Sequence, residues 1–351
     1  MNRHKNIFFR KPTTNPYRIF ILLILILGGI WLVRQLETGA IRRPFTPTPT
    51  PTRAAQSFAL EGDAHFPAGQ FESAITASEE ATRIDPNNAE VWAKLARIQA
   101  YSSALLTTDD QQRDRLQEAL ASIEKAVELA PDDSLAHATH AFVLDWNANT
   151  ILFGEDQAAD YLLQAEQSAV RALHLDNQNT LALAYYAEIL VDEQKWNQAE
   201  QYIQQALEQD DTLMDVHRVY AYVLESFGQY NQAIQEYDKA LAISPNLTFL
   251  YLRAGANYRR LAFGSQNDTT RTQLYESSLE YFAKAARINE QLGIEDPVPY
   301  LSIAKTYSQE GEYFVAARNI QRALEIDPAN ADIYGQLGIV YFKSRNYEGS
   351  I

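Results

Sequence analysis

Between positions 180 and 245 two 34-residue units follow one another without an insertion. The first carries Tyr186-Ala187, Trp196, Ala199, Ile203, Ala206 and Asp211. The second carries Tyr220-Ala221, Tyr230, Ala233, Tyr237, Ala240 and Pro245 on the same grid. A fixed period of this length constrains the fold more than any local motif. One unit is a supersecondary element that cannot cover its own apolar face, so successive units must stack. Helices are predicted over 180–193 and 197–209, each with apolar residues at i, i+3 and i+4. Alanine at 187, 199 and 206 lets helix axes approach to the ~8–10 Å of close packing.

The grid extends in both directions. Before the clean pair lie Gly62, Ala74, Ala81 and Pro86; Trp92, Leu95-Ala96, Ala119, Ala126 and Pro131; and His140-Ala141, Ala165, Ala172 and Asn177. After it come Ala254-Gly255, Ser278, Phe282 and Ala285, then Ile303-Ala304, Gly311, Tyr313, Ala316, Ala323 and Pro328. A last copy begins with Tyr334, Leu337-Gly338 and Tyr341 and reaches Tyr347. The closing positions 86, 131, 177, 211, 245, 290 and 328 show that three units carry 11 or 12 extra residues, at 105–112, 150–157 and 263–270. These are expected at the turn inside a hairpin or in a lengthened first helix, on one shared edge of the array.

These residues resemble the tetratricopeptide repeat, most clearly over 60–86, 222–245 and 307–328. The resemblance implies an all-α, right-handed α-α superhelix over 55–351, with about seven repeats and a truncated last one. It also implies that the first helix of each pair lines a concave groove that holds partner proteins or peptides. By helical offsets, that groove is expected to present Arg97, Tyr101, Phe142, Asp145, Trp146, Glu188, Asp192, Arg218, Tyr222 and Glu225. The mixture of aromatics and acids suits a basic partner. Arg218 sits near the offset of the family's clamp for a chain-terminal carboxylate, but Ala184, Glu188 and Tyr222 do not complete that clamp.

The N-terminal part is of another kind. Residues 1–18 carry five Lys/Arg and no acid, and residues 19–33 carry no charge. Fifteen helical residues cover about 22 Å, but the twenty from 17 to 36 reach about 30 Å, the hydrocarbon thickness. Tyr17 and Trp31 stand at interfacial positions and Arg18 and Arg34 can snorkel. A transmembrane helix over 19–36 is therefore expected, in preference to a cleaved signal peptide, for which Thr38-Gly39-Ala40 is a mediocre site, or to a core helix, which would need an equally apolar partner. The basic bias places the N-terminus in the cytoplasm and the body outside. Residues 37–54 form a Pro/Thr-rich tether, extended because proline fixes φ and removes donors.

Charge separates the two parts. Nine of the 30 basic residues and one of the 45 acids precede residue 54, which leaves 21 basic against 44 acidic residues in the body. Such a body repels phosphate, so nucleic acid is not an expected partner. Absence of cysteine removes thiol catalysis, disulfides and thiolate metal sites. His137 and His140, three apart on one helix, are the best metal candidates, but no third ligand is placed by spacing and His140 fills the packing slot of Tyr186 and Tyr220. Asp109-Asp110 and Asp132-Asp133 fit helix starts, where acids favour the dipole. No phosphate loop, GxSxG or HExxH occurs, so no cofactor, metal or catalytic residue is assigned. The expected device is a membrane-tethered interaction scaffold. Because the last copy stops early and a solenoid needs a polar cap, the alternative is the anchoring and substrate-recruiting part of an enzyme whose catalytic domain lies beyond residue 351.

Overall fold

A computed structural model describes residues 15–37 and 53–345. The chain divides into an N-terminal unit and a body that begins at Arg53. In the first, α1 (Pro16–Glu37) contains a 20-residue stretch, Pro16–Gln35, long and apolar enough to cross a membrane. The tether reading falls almost wholly on residues outside those described.

All elements of the described body are helices. Antiparallel hairpins form from α2 (Ala55–His65) with α3 (Phe71–Ile84), α4 (Ala89–Ser103) with α5 (Asp109–Leu129), and α6 (Ser134–Asn147) with α8 (Glu155–Leu175), the short α7 (Thr150–Phe153) lying between the last two. They continue with α9 (Thr180–Asp192) and α10 (Trp196–Gln209), α11 (Met214–Ser226) and α12 (Tyr230–Ile243), α13 (Thr248–Gly264) and α14 (Asp268–Leu292), and α15 (Val298–Glu310) and α16 (Tyr313–Ile326). A single helix, α17 (Ala331–Lys343), packs on α16.

The grid of small residues is the packing surface between helices. Ala74, Ala81, Ala119, Ala126, Ala165, Ala172, Ala199, Ala206, Ala233, Ala240, Ala285, Ala316 and Ala323 are all completely buried. Asparagine or aspartate starts several first helices: Asn88, Asp133, Asn179 and Asn330 accept backbone N–H groups of the opening turn. Four hairpins turn through one motif. Gln70, Lys195, Gln229 and Glu312 donate their backbone N–H to the carbonyls of His65, Leu190, Leu224 and Tyr307, closing the first helix with a 6→1 bond. That turn needs a left-handed residue, supplied by Gly69, Gly228 and Gly311 and, in the fourth hairpin, by Gln194 at φ 62°.

The insertions correct one expectation. They do not chiefly lengthen turns or first helices; they extend second helices. α5 and α8 have 21 residues and α14 has 25, against 14 in α3, α10, α12 and α16. The cause is local: Thr108 and Asn267 cap the new starts, and Asp109-Asp110, Glu155-Asp156 and Asp268 fill their first turns, where carboxylates meet the positive helix end. α13, at 17 residues, is the one first helix that also grows by about a turn. The first two insertions are neighbours: Arg113, the residue after the first, donates to the Leu152 carbonyl within the second at 2.9 Å.

The body closes on itself. Asn246 donates to the Ala68 carbonyl across 178 residues, and the Tyr101 ring stacks on Phe249 at 5.4 Å. One cluster of buried apolar residues therefore joins Phe66 and Phe71 at the first hairpin to Ala285 and Ile288 of α14.

Candidate functional site

The first helices converge their side chains on the inner face, and the closure brings together residues from α4, α6, α9, α11 and α13. At its base Asp215 is buried and accepts hydrogen bonds from Arg97, Tyr101 Oη at 2.5 Å and Tyr185 Oη at 2.8 Å. Burial alone would lift its carboxyl; the guanidinium of Arg97, with Arg218 and the Tyr101 hydroxyl, outweighs that and holds it down to about 2. Beside it, both Nη atoms of Arg218 fork onto the Glu188 carboxylate at 2.6 and 2.5 Å, and Arg218 Nε donates to Tyr101 Oη. Phe142 stacks on Tyr185 and packs at a tilt against Tyr101, forming a row of three aromatic rings through this base.

That arrangement corrects part of the groove expectation. Arg97, Tyr101 and Phe142 do not form an open contact surface. Tyr101 and Phe142 are fully buried, and Arg97 spends its charge on Asp215. The reason is closure: large aromatics on adjacent inner faces remove more apolar area from water when the faces meet than when each stays open. Arg218 is likewise held by Glu188, so it does not present a free guanidinium to a carboxylate ligand.

Asp145, Trp146, Glu188, Asp192, Arg218 and Tyr222, also among the predicted residues, line an opening above this base. A cavity of about 520 Å³ is walled by Asp145 and Trp146 of α6, Glu188 and Asp192 of α9, Arg218 and Tyr222 of α11, Tyr237 of α12, and Phe249, Leu252 and Arg253 of α13. Its rim includes the exposed Ala104, Asn149, Asp192 and Arg253. Tyr222 donates to Asp192 at 2.5 Å. Glu225, the last predicted residue, lies one turn further on and is occupied by Arg253, Asn257 and Arg260.

Two carboxyls in this cavity form no ion pair among the described residues. Asp145 is 7 % exposed, and its Oδ1 has no hydrogen-bond partner among the described residues. Burial pushes its carboxyl well above the usual range, and the neighbouring Asp192 and Glu188 push it further. Asp192 keeps one edge in solvent, yet the cavity wall strips enough hydration to lift it to about 6, with Glu188 adding to the rise.

Sequence reasoning missed Asp215, Tyr185, Tyr237, Phe249 and Arg253. Arg253 had a usable signal, one 34-residue period plus one position beyond Arg218 on the next first helix. Asp215 had none, because its role depends on Arg97 arriving from 118 residues away. The histidines are structural. His137 Nε2 meets the Pro131 carbonyl at 2.9 Å and His140 Nδ1 meets Ser168 Oγ at 3.1 Å. Burial, with His137 nearby, lowers His140 to about 4. Among the described residues no three His, Asp or Glu side chains converge in a metal-ligating group.

Paired helices stacked through buried alanines, with glycine-type turns at one spacing, define a helical-hairpin solenoid. Tetratricopeptide-repeat family models match residues 55–88 and 187–248. Tetratricopeptide repeats are thus shown over those two stretches, and the other hairpins of the described body have the same helix–turn–helix form. Among solved structures, human IFIT1 in a dimer with m7Gppp-AAAA is similar at 19 % identity and TM-score 0.57, over 91 % of this chain and 78 % of that one. The APC/C hetero-tetramer Cut9–Hcn1 is similar at 14 % identity and TM-score 0.51, over 81 % and 55 %. A thermophilic tetratricopeptide-repeat protein of Thermus thermophilus matches at 20 % identity and TM-score 0.47, over 58 % of this chain and 98 % of its own. At these identities the likeness is one of fold.

Proposed function

We propose that this protein is a membrane-tethered scaffold that holds partner proteins at the cavity on its inner face, without catalysis of its own. The observation that carries the reading is the cavity itself. It combines partly exposed apolar anchors, Trp146 and Phe249, with the acids Asp145, Glu188 and Asp192, on helices fixed by the buried network beneath. Aromatic anchors in a preformed recess supply binding energy, and surrounding acids select a basic partner and speed its approach. The RNA named with IFIT1 is not carried over, because 44 acids against 21 basic residues in this body repel phosphate.

The tether reading rests on the 20-residue apolar helix and on the five basic residues within 1–18, four ahead of the helix and Arg18 in its first turn, which favour a cytoplasmic N-terminus and a body on the far side. Since the chain has no cysteine, a single Gln56→Cys substitution at an exposed site supplies a clean topology probe. Labelling by a membrane-impermeant maleimide in intact cells is expected; labelling only after lysis reverses the orientation.

The scaffold reading is tested by co-purification from detergent-extracted membranes, with partners identified by mass spectrometry. Trp146→Ala combined with Tyr222→Ala is expected to lower capture by about tenfold or more, the loss of one to two anchor residues. Captured partners unchanged by both substitutions would remove the cavity from the binding surface.

A further inference from the structure

The acids of the cavity carry an inference that rests on the scaffold reading and narrows the partner. Most charges in this region are ion-paired. Glu188 is taken by Arg218, Glu225 by Arg253 and Arg260, and Asp215 by Arg97. Among the described residues Asp145 and Asp192 make no ion pair of their own; Arg218 and Arg253, the nearest cations, are shared with Glu188 and Glu225. Asp192 accepts from the neutral Tyr222 hydroxyl and shares a hydrogen bond with the Asp145 carboxyl, whose Oδ1, buried in the wall, accepts from nothing among the described residues. A buried acceptor without a donor is costly, and two neighbouring carboxyls without a counter-charge are more so. The space beside them holds more than water: about 520 Å³, with Trp146, Phe249 and Leu252 as apolar walls.

We propose that this cavity receives the cationic head of one lysine or arginine side chain of a partner protein, with Asp145 and Asp192 as its counter-ions. The aliphatic stem lies along Trp146, Phe249 and Leu252, and the aromatic faces add cation–π attraction. The charged and titratable groups that line the cavity with Asp145 enter the balance: Glu188 and Asp192 from α9, Arg218 and Tyr222 from α11, Tyr237 from α12 and Arg253 from α13. With Glu188 and Arg218 neutralising each other and Arg253 engaged by Glu225, the empty site relieves its repulsion by holding a proton on the Asp145 carboxyl. An incoming ammonium or guanidinium replaces that proton. The O–H bond of the carboxyl breaks, the proton passes to solvent, and the carboxylate takes a charge-assisted hydrogen bond from the ligand. Binding is thus coupled to release of a proton, and it weakens as pH falls because the protonated pair must then be titrated by the ligand.

The test uses the full chain in a non-ionic detergent, titrated calorimetrically with acetyl-Gly-Lys-Gly-amide, its arginine counterpart and its norleucine counterpart. At about pH 8 a basic peptide is expected to bind about tenfold or more tightly than the norleucine peptide, and to lose about tenfold at about pH 5, where both peptides remain charged. Proton release is read from the heat in buffers of different ionisation enthalpy. Asp145→Asn keeps the shape of the neutral carboxyl and is expected to melt like the parent while losing the preference for the basic peptide. Should that variant fail to fold, Asp192→Asn at the open edge makes the same test. Free n-butylammonium is expected to bind about tenfold more weakly than the lysine peptide, since it lacks a backbone for the rim around Asn149. Equal binding of the norleucine peptide, equal affinity at the two pH values, or equal affinity of n-butylammonium each overturns the proposal. Peptide binding with partner capture indifferent to Trp146 and Tyr222 would instead sink the scaffold reading alone. Loss of capture in those variants without any peptide preference would sink this inference alone.

Discussion

At the residue scale, the repeat explains what each position needs, and among the four hairpins that share the 6→1 turn one position departs from it. The hairpin turn demands a left-handed residue, and Gln194 holds the place that glycine holds at 69, 228 and 311. An L-residue other than Gly, Asn or Asp pays roughly 1–2 kcal/mol for that conformation. Gln194→Gly is therefore expected to stabilise the protein, by about 0.5–1 kcal/mol after the entropy of the more flexible unfolded glycine is deducted. Denaturant unfolding checks it, and a midpoint unchanged or lower than the parent would show that the Gln194 side chain makes a compensating contact.

At the element scale, helix pairs are matched as complementary volumes. The small residue of the first helix faces one large residue of the second: Ala187 with Ile203, Ala221 with Tyr237 and Ala304 with Ile320 share positions, and each pair lies in the core. In the sixth hairpin the large partner is Phe282 and the small one shrinks to Gly255. A Cβ at Gly255 would sit 2.7 Å from the Phe282 ring. Gly255→Ala is expected to cost about 1–3 kcal/mol by overpacking. Phe282→Ile in the same chain is expected to recover part of that loss, because it restores the volume pairing of the fourth and seventh hairpins. A double-mutant cycle with no coupling would show that the two residues do not share this space. The same scale shows where sequence reading stopped. The insertions were visible as lengths, but their placement in the second helices depended on Thr108 and Asn267 competing successfully as caps.

At the scale of the whole molecule, closure is held by a small polar network. Asp215 binds the Arg97 guanidinium and the hydroxyls of Tyr101 and Tyr185 in a buried site. Asp215→Asn leaves Arg97 without its counter-charge and is expected to cost about 3–5 kcal/mol. The sign of the pH effect follows from the lowered carboxyl. With a folded value near 2 and an ordinary value of 3.8, Asp215 stabilises fully above about pH 4, and that contribution disappears as pH falls through 2. The gap between the parent and the Asn variant should therefore narrow in thermal melts taken below about pH 4. A constant gap would separate the stability of the network from the charge on Asp215.

What the sequence alone determined is periodic. Repeated alanines fixed helix contacts, and prolines, asparagines and glycines fixed ends and turns, because each acts on neighbours within one hairpin or the next. The inner-face residues were legible as a set for the same reason: a constant offset selects one side of every first helix. Their division was not legible. Whether Tyr101 and Phe142 are walled in while Asp145, Asp192 and Tyr222 line an opening depends on how far the superhelix closes. That is settled by contacts such as Asn246 with Ala68 and Arg97 with Asp215, made between residues more than a hundred positions apart. A 34-residue period carries no information at that range, so only the tertiary structure could place the cavity and leave Asp145 in it without a partner.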